Sequence, residues 1–469
     1  MNSTGPAAVL TRTLAGEKYT PFGLAGKLNS RVILESSSLS RGRERYSLLL
    51  VKEAFQVWQE GKMIIMRKGP ERRVMEGRDI LDVLAEIASK HADFKSDYPF
   101  PAGGIGFLSF EFASFCDSFG FPNRPDPLGL PLAAFIFGHV YVIFDHYTDQ
   151  IHLIGVNYDV GEEELDLEKA LDDVEAKIGD LNFNYMMEKP MEYPAIIASS
   201  IEESENYKEA VSRVRQEIIR GNLLQAVPSR RLEIVTQTTA FDVYRTLRSS
   251  NPSPYQFYLD FGSWQLFGTS PEMHVKVNDR RVILRPIAGT RRRGANEAED
   301  RALAAELEKN EKERAEHLML VDLGRNDLGR ICKVGTVEVS KKMVIEKYSK
   351  VMHMVSQVEG DLSDNRSAID AIRATFPAGT VSGAPKIQAV KTIASLEKMP
   401  RGFYAGLVGY LESEESLDTC ITIRSVLKKE NRLFLQAGGG VVYDSNPERE
   451  LEETNEKLRA IAAAAGVEV

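Results

Sequence analysis

Cysteine is scarce in this chain. Its 469 residues include only Cys116, Cys332 and Cys420, and no two of them form a CxxC pair. Neither a disulfide framework nor a zinc ribbon is indicated, and a reducing compartment is expected. An excess of positive charge is also missing. Asp and Glu number 68 against 59 Lys and Arg, a net charge of −9, which argues against general nucleic-acid binding. An anionic substrate would need a locally positive site. Long apolar runs are absent too. The strongest, Ala133–Phe144, contains Gly138 and His139 and is too short to span a bilayer; it reads as a buried strand. The N-terminus has no apolar signal core. No membrane segment is expected, and a cytoplasmic location follows. The GxGxxG spacing of a dinucleotide site is missing from Gly103–Gly104–Ile105–Gly106, and no βαβ pattern follows it. There is no internal repeat and no low-complexity tract.

What remains is an ordinary globular composition, 43% hydrophobic and 27% charged. The chain is too long for one ordinary domain. Ser47–Val51 and Phe55–Trp58 read as strands, and Arg78–Ala88 as an amphipathic helix. An acidic helix, Glu162–Ile178, precedes an irregular segment with Pro190 and Pro194. The boundary between two lobes is placed here, giving residues 1–190 and 191–469. Beyond it Tyr207–Arg220 reads as a helix ended by Gly221. Strands at Arg231–Val235, Tyr255–Asp260, Trp264–Thr269 and Val282–Pro286 then alternate with long helices. The fold class is α+β.

Two short runs mix small residues with cations: Pro286–Ile287–Ala288–Gly289–Thr290–Arg291 and Thr380–Val381–Ser382–Gly383–Ala384–Pro385–Lys386. Such backbone favours close approach of an anion. Two ExxE pairs accompany them. Glu313 and Glu316 share one face of a helix expected from Glu297 to about Val321. Glu450 and Glu453 do the same near the start of the last helix, where Asn446 is a candidate cap and Pro447 suits the first turn. Either pair alone reads as a solvated face. Facing one another, they would form a hard oxygen set suited to Mg2+. Arg424, after the β-like run Cys420–Ile423, could hold a carboxylate bidentately or be a surface cation. Arg291–Arg292–Arg293 reads as a solvated turn. His353, between Met352 and Met354, is either an active-site group or a satisfied core histidine.

At this point the sequence resembles the chorismate-using enzymes, and among them the large subunits of anthranilate synthases. The motifs that carry the resemblance run in order: Leu224–Gln225–Ala226–Val227–Pro228–Ser229–Arg230–Arg231, Gly268–Thr269–Ser270–Pro271–Glu272, Pro286–Arg291, Ala315–Glu316–His317–Leu318–Met319–Leu320–Val321–Asp322–Leu323, Phe376–Lys386 and Tyr404–Ala405–Gly406. The resemblance implies a two-lobed fold of large antiparallel sheets packed with helices. It implies Glu316 and Glu453 as Mg2+ ligands, with Glu313 and Glu450 beside them. Tyr404 and Arg424 would hold the enolpyruvyl carboxylate of chorismate, and Lys457 would stand near the metal. Gly289, Thr290 and Gly438, Gly439 and Gly440 would wall the ring pocket. Glu272 would be the acid beside the C4 hydroxyl and His353 the active-site histidine.

Two positions choose among relatives. Gln225 stands where isochorismate and salicylate synthases carry a lysine base. Ala288 stands where many aminodeoxychorismate synthases carry an attacking lysine. Direct attack by ammonia at C2 is the remaining path, which leads to anthranilate. Aminodeoxychorismate synthase and 2-amino-2-deoxyisochorismate synthase are the alternatives. A non-catalytic metabolite-binding regulator on this fold would be expected to lose the ExxE glutamates or Glu272, and all five are present. Arg292 replaces the proline usual in this loop. No cysteine has the setting of a glutaminase nucleophile, so a separate glutamine amidotransferase subunit is expected, in a hetero-oligomer. Finally, Leu34–Glu35–Ser36 and Tyr46–Leu50 resemble the segment with which anthranilate synthases bind tryptophan as feedback inhibitor. Pro254, Tyr255, Gln256, Tyr410 and Cys420 match further contacts. Gln256 stands where methionine is usual.

Overall fold

The computed structural model describes residues 8–38, 42–43, 45–161, 164–180, 182, 193–198, 201–348, 351–413 and 415–469. Among the described residues twenty-one strands join one continuous sheet system, and its pairings are antiparallel. The strands expected at Ser47–Val51 and Phe55–Trp58 are one strand, Tyr46–Glu60. Its pairing with Ala133–Asp145 slips in register between Leu50 and Phe55. Such bulges bend a strand without ending its ladder, so a polar interruption that reads as a break is a bend. Ala133–Asp145 is buried along its whole length, as its unbroken apolar run requires.

The sheet is buried on both faces. Leu48 and Leu50 point into one core and Leu49 into the other. The first core takes up the helix Ile80–Ser89, whose cap Asp79 accepts from Leu81 N. The second takes up residues of the helices Pro21–Lys27, Leu167–Gly179, Ala240–Ser250 and Pro447–Ala464. The lobe boundary placed at 190/191 lies outside the described residues, as do Pro190 and the first residues of the helix expected from Glu162. Strands from either side of it pair directly. Val32–Glu35 pairs with Tyr255–Asp260, and Ile105–Leu108 with Leu407–Ser413. No helix among the described residues is long and apolar enough to cross a membrane.

The helix expected from Glu297 to Val321 is two helices, Glu297–Lys309 and Glu311–Gly329. Asn310 divides them. Its backbone leaves the helical region at ψ 109°, and its side chain accepts from Glu313 N. An asparagine side chain competes with the helical ladder and favours such a cap. The break presents Glu313 and Glu316 in the first two turns of a new helix. The apolar run after them is only partly interior, with Val321 buried and Leu318 exposed.

One buried cation ties several loops together. Arg401 is 1% exposed. It grips Glu397 through Nε at 2.9 Å and Nη2 at 2.7 Å, and donates to the carbonyls of Val381 and Val227. Its guanidinium also lies over the rings of Phe110 and Tyr404. Removing one partner of a buried, hydrogen-bonded ion pair strands the other. Arg401→Met should therefore lower the unfolding free energy by about 3–5 kcal/mol, read from the midpoint of urea denaturation.

Candidate active site

The strand Ile287–Arg292 pairs with Val351–Asp361, and the register slips between Ala288 and Thr290. Gly289, at the slip, has φ +68°. A Cβ there would fall 3.0 Å from Leu307 Cδ1 and 3.1 Å from Glu313 Oε2, so both conformation and space demand glycine. The slip brings the Thr290 hydroxyl to His353 Nδ1 at 2.9 Å.

The cations of the two small-residue runs turn away from any open site. Arg291 binds Glu306 and Glu313, at 2.7 and 2.9 Å. Lys386 is buried on Asp327 at 2.7 Å and on the carbonyl of Thr375. Arg291, Arg292 and Arg293 each pair with a carboxylate of the following helix, Glu306, Glu299 and Asp300. They are therefore a buttress rather than a free turn. The cation left for a ligand is Arg424. Among the described residues the one hydrogen bond of its guanidinium goes to the carbonyl of Lys457 at 3.1 Å, and no carboxylate there lies within ion-pair reach. Arg424 has φ +53°, a conformation costly for a side-chain residue and found where function over-determines it.

Around Arg424 the titratable groups are tuned by burial. The Glu272 carboxyl is pushed up to about 7 by desolvation, against the pull of the Thr380 hydroxyl and Lys457. It holds a proton near neutrality and can give it away. His353 is pulled down to about 4, first by burial and then by the charge of Arg424. It is a neutral imidazole that can take a proton. One group poised to donate and one to accept is a pairing suited to acid–base chemistry. Tyr404 is buried, its hydroxyl pushed up to about 12, so it stays a donor.

The four glutamates come together in part. Glu316 feels the charges of Glu313 and Glu453, and burial with this repulsion raises it. Glu450 is raised by burial and by Glu453. Among the described residues no three His, Cys, Asp or Glu side chains close into a metal-holding group. Glu313 is held by Arg291, and Glu453 by Lys457 at 2.6 Å. Lys457 also donates to the carbonyl of Gly438 at 2.7 Å. Glu450 Oε2 is buried with no hydrogen-bond partner. Unsatisfied carboxylate oxygen beside further carboxylates, with no thiolate near, fits a hard divalent cation. The three glycines keep this wall bare. A Cβ on Gly438 would fall 3.2 Å from the Tyr404 hydroxyl, one on Gly439 2.7 Å from Glu450 Oε2, and one on Gly440 2.4 Å from Gln225 Nε2. Gln225 therefore stands at the site, and so does Tyr207, whose hydroxyl lies 3.1 Å from the Gly439 position. Tyr207 escaped sequence reading because its helix looks like any amphipathic surface helix.

A second cavity is lined by Pro271 and Met273, the neighbours of Glu272 in the chain. Glu35, Ser36, Tyr46, Pro254, Tyr255, Gln256, Tyr410 and Cys420 all line one cavity of about 530 Å³. Its walls come from both halves of the sequence. The Ser36 hydroxyl donates to the carbonyl of Pro254. Glu35 is not free to meet an amine: Arg248 holds it at 2.6 and 2.7 Å and the Tyr244 hydroxyl at 3.2 Å. Glu412 and Asp418 are further acids of the lining, and neither carried a signal in sequence. Asp418 is held by Lys276 and Tyr255, while the Glu412 carboxyl is pushed up to about 7 by burial and by Asp418.

The sequence profile of a family described as chorismate binding enzyme matches residues 39–463. Anthranilate synthase component 1 of Spirochaeta aurantia is 57% identical over 462 residues, 98% of this chain and 95% of that protein. The protein of the same name from Cereibacter sphaeroides is 36% identical, again over 98% of this chain and 95% of that one. The crystal structure of anthranilate synthase component I from Streptococcus pneumoniae superposes with a TM-score of 0.81 at 36% identity, covering 89% of this chain and 92% of that one. The menaquinone-specific isochorismate synthase of Escherichia coli, 16% identical, shares the fold with a TM-score of 0.74 over 99% of this chain and 96% of that one.

The raised carboxyl of Glu272 has a thermodynamic consequence. Between about pH 4.5 and 7 the unfolded chain has lost this proton and the native chain keeps it. The native state binds more protons there, so this group's contribution to stability falls as pH rises and levels off above about 7. Glu272→Gln removes the penalty. It should stabilise the chain by ~1–3 kcal/mol at pH 8 and by little near pH 4.5, measured by urea unfolding at both values.

Proposed function

The chain belongs to the chorismate-binding enzymes, and within them we propose that it converts chorismate and ammonia to anthranilate and pyruvate. The observation that carries the reading is Glu272, a carboxyl pushed up to about 7 that feels Lys457, whose carbonyl holds the otherwise unpaired guanidinium of Arg424. Arg424, with Tyr404 beside it, binds the enolpyruvyl carboxylate. Thr290, Gly289 and the Gly438–Gly440 wall hold the ring. Mg2+, when bound by Glu316 and Glu453 with Glu313 and Glu450 near, supplies positive charge for the ring carboxylate. Ammonia adds at C2, and Glu272 protonates the C4 hydroxyl as it leaves as water. Neutral His353 is suited to accept the C2 proton while pyruvate departs and the ring becomes aromatic.

The nature of the nucleophile follows from two side chains that are not amines. Gln225 stands at the Gly440 wall, and an amide cannot activate water as a lysine base would. Ala288, opposite Met354 and next to Gly289, offers only a methyl group. Ammonia must come from elsewhere. Burial pushes the thiols of Cys116 and Cys332 up to about 12 and about 11, and that of Cys420 higher still, so none is a thiolate nucleophile. The relatives are called component 1, which fits a hetero-oligomer with a separate glutamine amidotransferase subunit in the cytoplasm. Tryptophan is the feedback inhibitor we assign to the cavity between Ser36, Pro254 and Cys420, which is large enough for an amino acid with an indole ring and is walled by apolar and aromatic groups.

With chorismate, Mg2+ and ammonium, the isolated chain should release anthranilate and pyruvate in equal amounts, identified by mass spectrometry; glutamine alone should give no product. Aminodeoxychorismate, or 2-amino-2-deoxyisochorismate as the end product, would reassign it within the family. Glu272→Gln should cost about 100-fold or more in turnover with ammonia. Tryptophan should inhibit competitively against chorismate, and Ser36→Phe, which fills the cavity, should relieve inhibition while ammonia-dependent turnover is largely kept. Undiminished turnover of the unaltered chain at millimolar tryptophan would remove the regulatory assignment.

A further inference from the structure

Glu313, one of the four glutamates of the proposed metal set, is already held by a cation. Arg291 Nη1 donates to Glu313 Oε1 at 2.9 Å. The same guanidinium is shared. Its Nε and Nη2 bind Glu306 bidentately, at 2.7 and 3.1 Å. Glu306 lies on the helix Glu297–Lys309 and Glu313 on the helix Glu311–Gly329, so the pair spans the break at Asn310. Asn310 itself ties the two sides, donating to Glu306 Oε1 at 3.0 Å and capping Glu313 N. The other Glu313 oxygen, Oε2, lies over Gly289. Glu313 is thus seated over the bulge of the ring-binding loop, and its charge is still felt by Glu316.

A carboxylate neutralised by a guanidinium is a poorer ligand for a cation, because the two positive charges compete for one pair of oxygens and repel each other. Glu306 divides the charge of Arg291. While it holds two of the guanidinium's N–H groups, less of that charge falls on Glu313. We propose that Arg291 is a positioning residue that sets the metal affinity of the site by competing for Glu313, and that Glu306 sets how strongly it competes. This rests on the reading of Glu313 as part of the metal set. The same loop presents Thr290 to His353, so release of Glu313 from Arg291 would be felt at the ring-binding wall.

The two partners have opposite signs in this scheme, which separates it from a mere staple between helices. Loss of Arg291 frees Glu313 for the metal. Loss of the charge on Glu306 leaves Arg291 wholly to Glu313 and weakens the metal. A staple would be broken by either change, and both would move the site the same way. The test uses the full chain and Mn2+ alone as probe, its free concentration read by electron paramagnetic resonance, with circular dichroism as a check on folding. Arg291→Leu should tighten Mn2+ binding by about tenfold and Glu306→Gln should weaken it by several-fold. Arg291→Lys, which keeps the competing charge, should stay near the unaltered chain. Shifts of one sign for Arg291→Leu and Glu306→Gln, or no shift in either while Glu316→Gln abolishes binding, would overturn the competition and leave the metal reading standing. Absence of Mn2+ binding to the unaltered chain, or binding indifferent to Glu316→Gln, would overturn the metal reading and the competition with it.

Discussion

A single buried guanidinium holds the walls of this site in register. Arg401 is almost wholly shut off from water, so its donors need acceptors inside the protein. It finds them on Glu397, Val381 and Val227. Val381 follows Thr380, the hydroxyl beside Glu272. Val227 lies two residues after Gln225. Tyr404 lies under the same guanidinium. Glu397, in turn, accepts from the backbone and hydroxyl of Ser229, whose strand pairs with the one ending in Gly438. Loops that are distant in sequence are thus referred to one charge, and a loop that drifts would leave part of that charge unsolvated.

The site itself works by unequal burial rather than by unusual residue types. In water at neutral pH Glu272 would be ionised and His353 about a quarter ionised. Burial makes the first an acid with a proton to give, and burial beside Arg424 makes the second a base with none. Among the described residues no carboxylate pairs directly with Arg424, although the charge of Glu453 reaches it. The other cations of the neighbourhood, Arg291, Lys386 and Lys457, all have carboxylate partners. One uncommitted charge in a low-dielectric cleft acts both as a ligand-binding group and as a field on its neighbours.

The second cavity is joined to the site through the backbone. Met273 lines the cavity and pairs with Cys420 across the sheet. Its neighbour Glu272 accepts from Ile421 N at 3.0 Å. Arg424 is four residues beyond Cys420. A ligand that moves the Met273–Cys420 pair would displace the proposed acid and the guanidinium of Arg424 together. Any coupling of binding between the two sites would act in both directions. The coupling needs no long relay, because the two sites share two adjacent strands.

Much of this protein is legible in the order of its residues. The long apolar strand, the amphipathic helices, the capped last helix and the family motifs depend on local pattern, and local pattern is written in sequence. Glu272 and Thr290 lie in those motifs, while Arg424 and the Gly438–Gly440 wall join them only through the resemblance of the whole chain. Tertiary structure alone decided which charges are free. In sequence Arg291 and Lys386 look like anion-binding cations and Glu35 like an acid awaiting an amine. In space each meets a partner far along the chain: Glu306 and Glu313, Asp327, and Arg248. The same holds for the break at Asn310, where an asparagine compatible with either a helix interior or a cap is settled by what Glu306 and Glu313 bind. Ion pairing and desolvation depend on distance and burial between residues remote in sequence, and no local pattern encodes them.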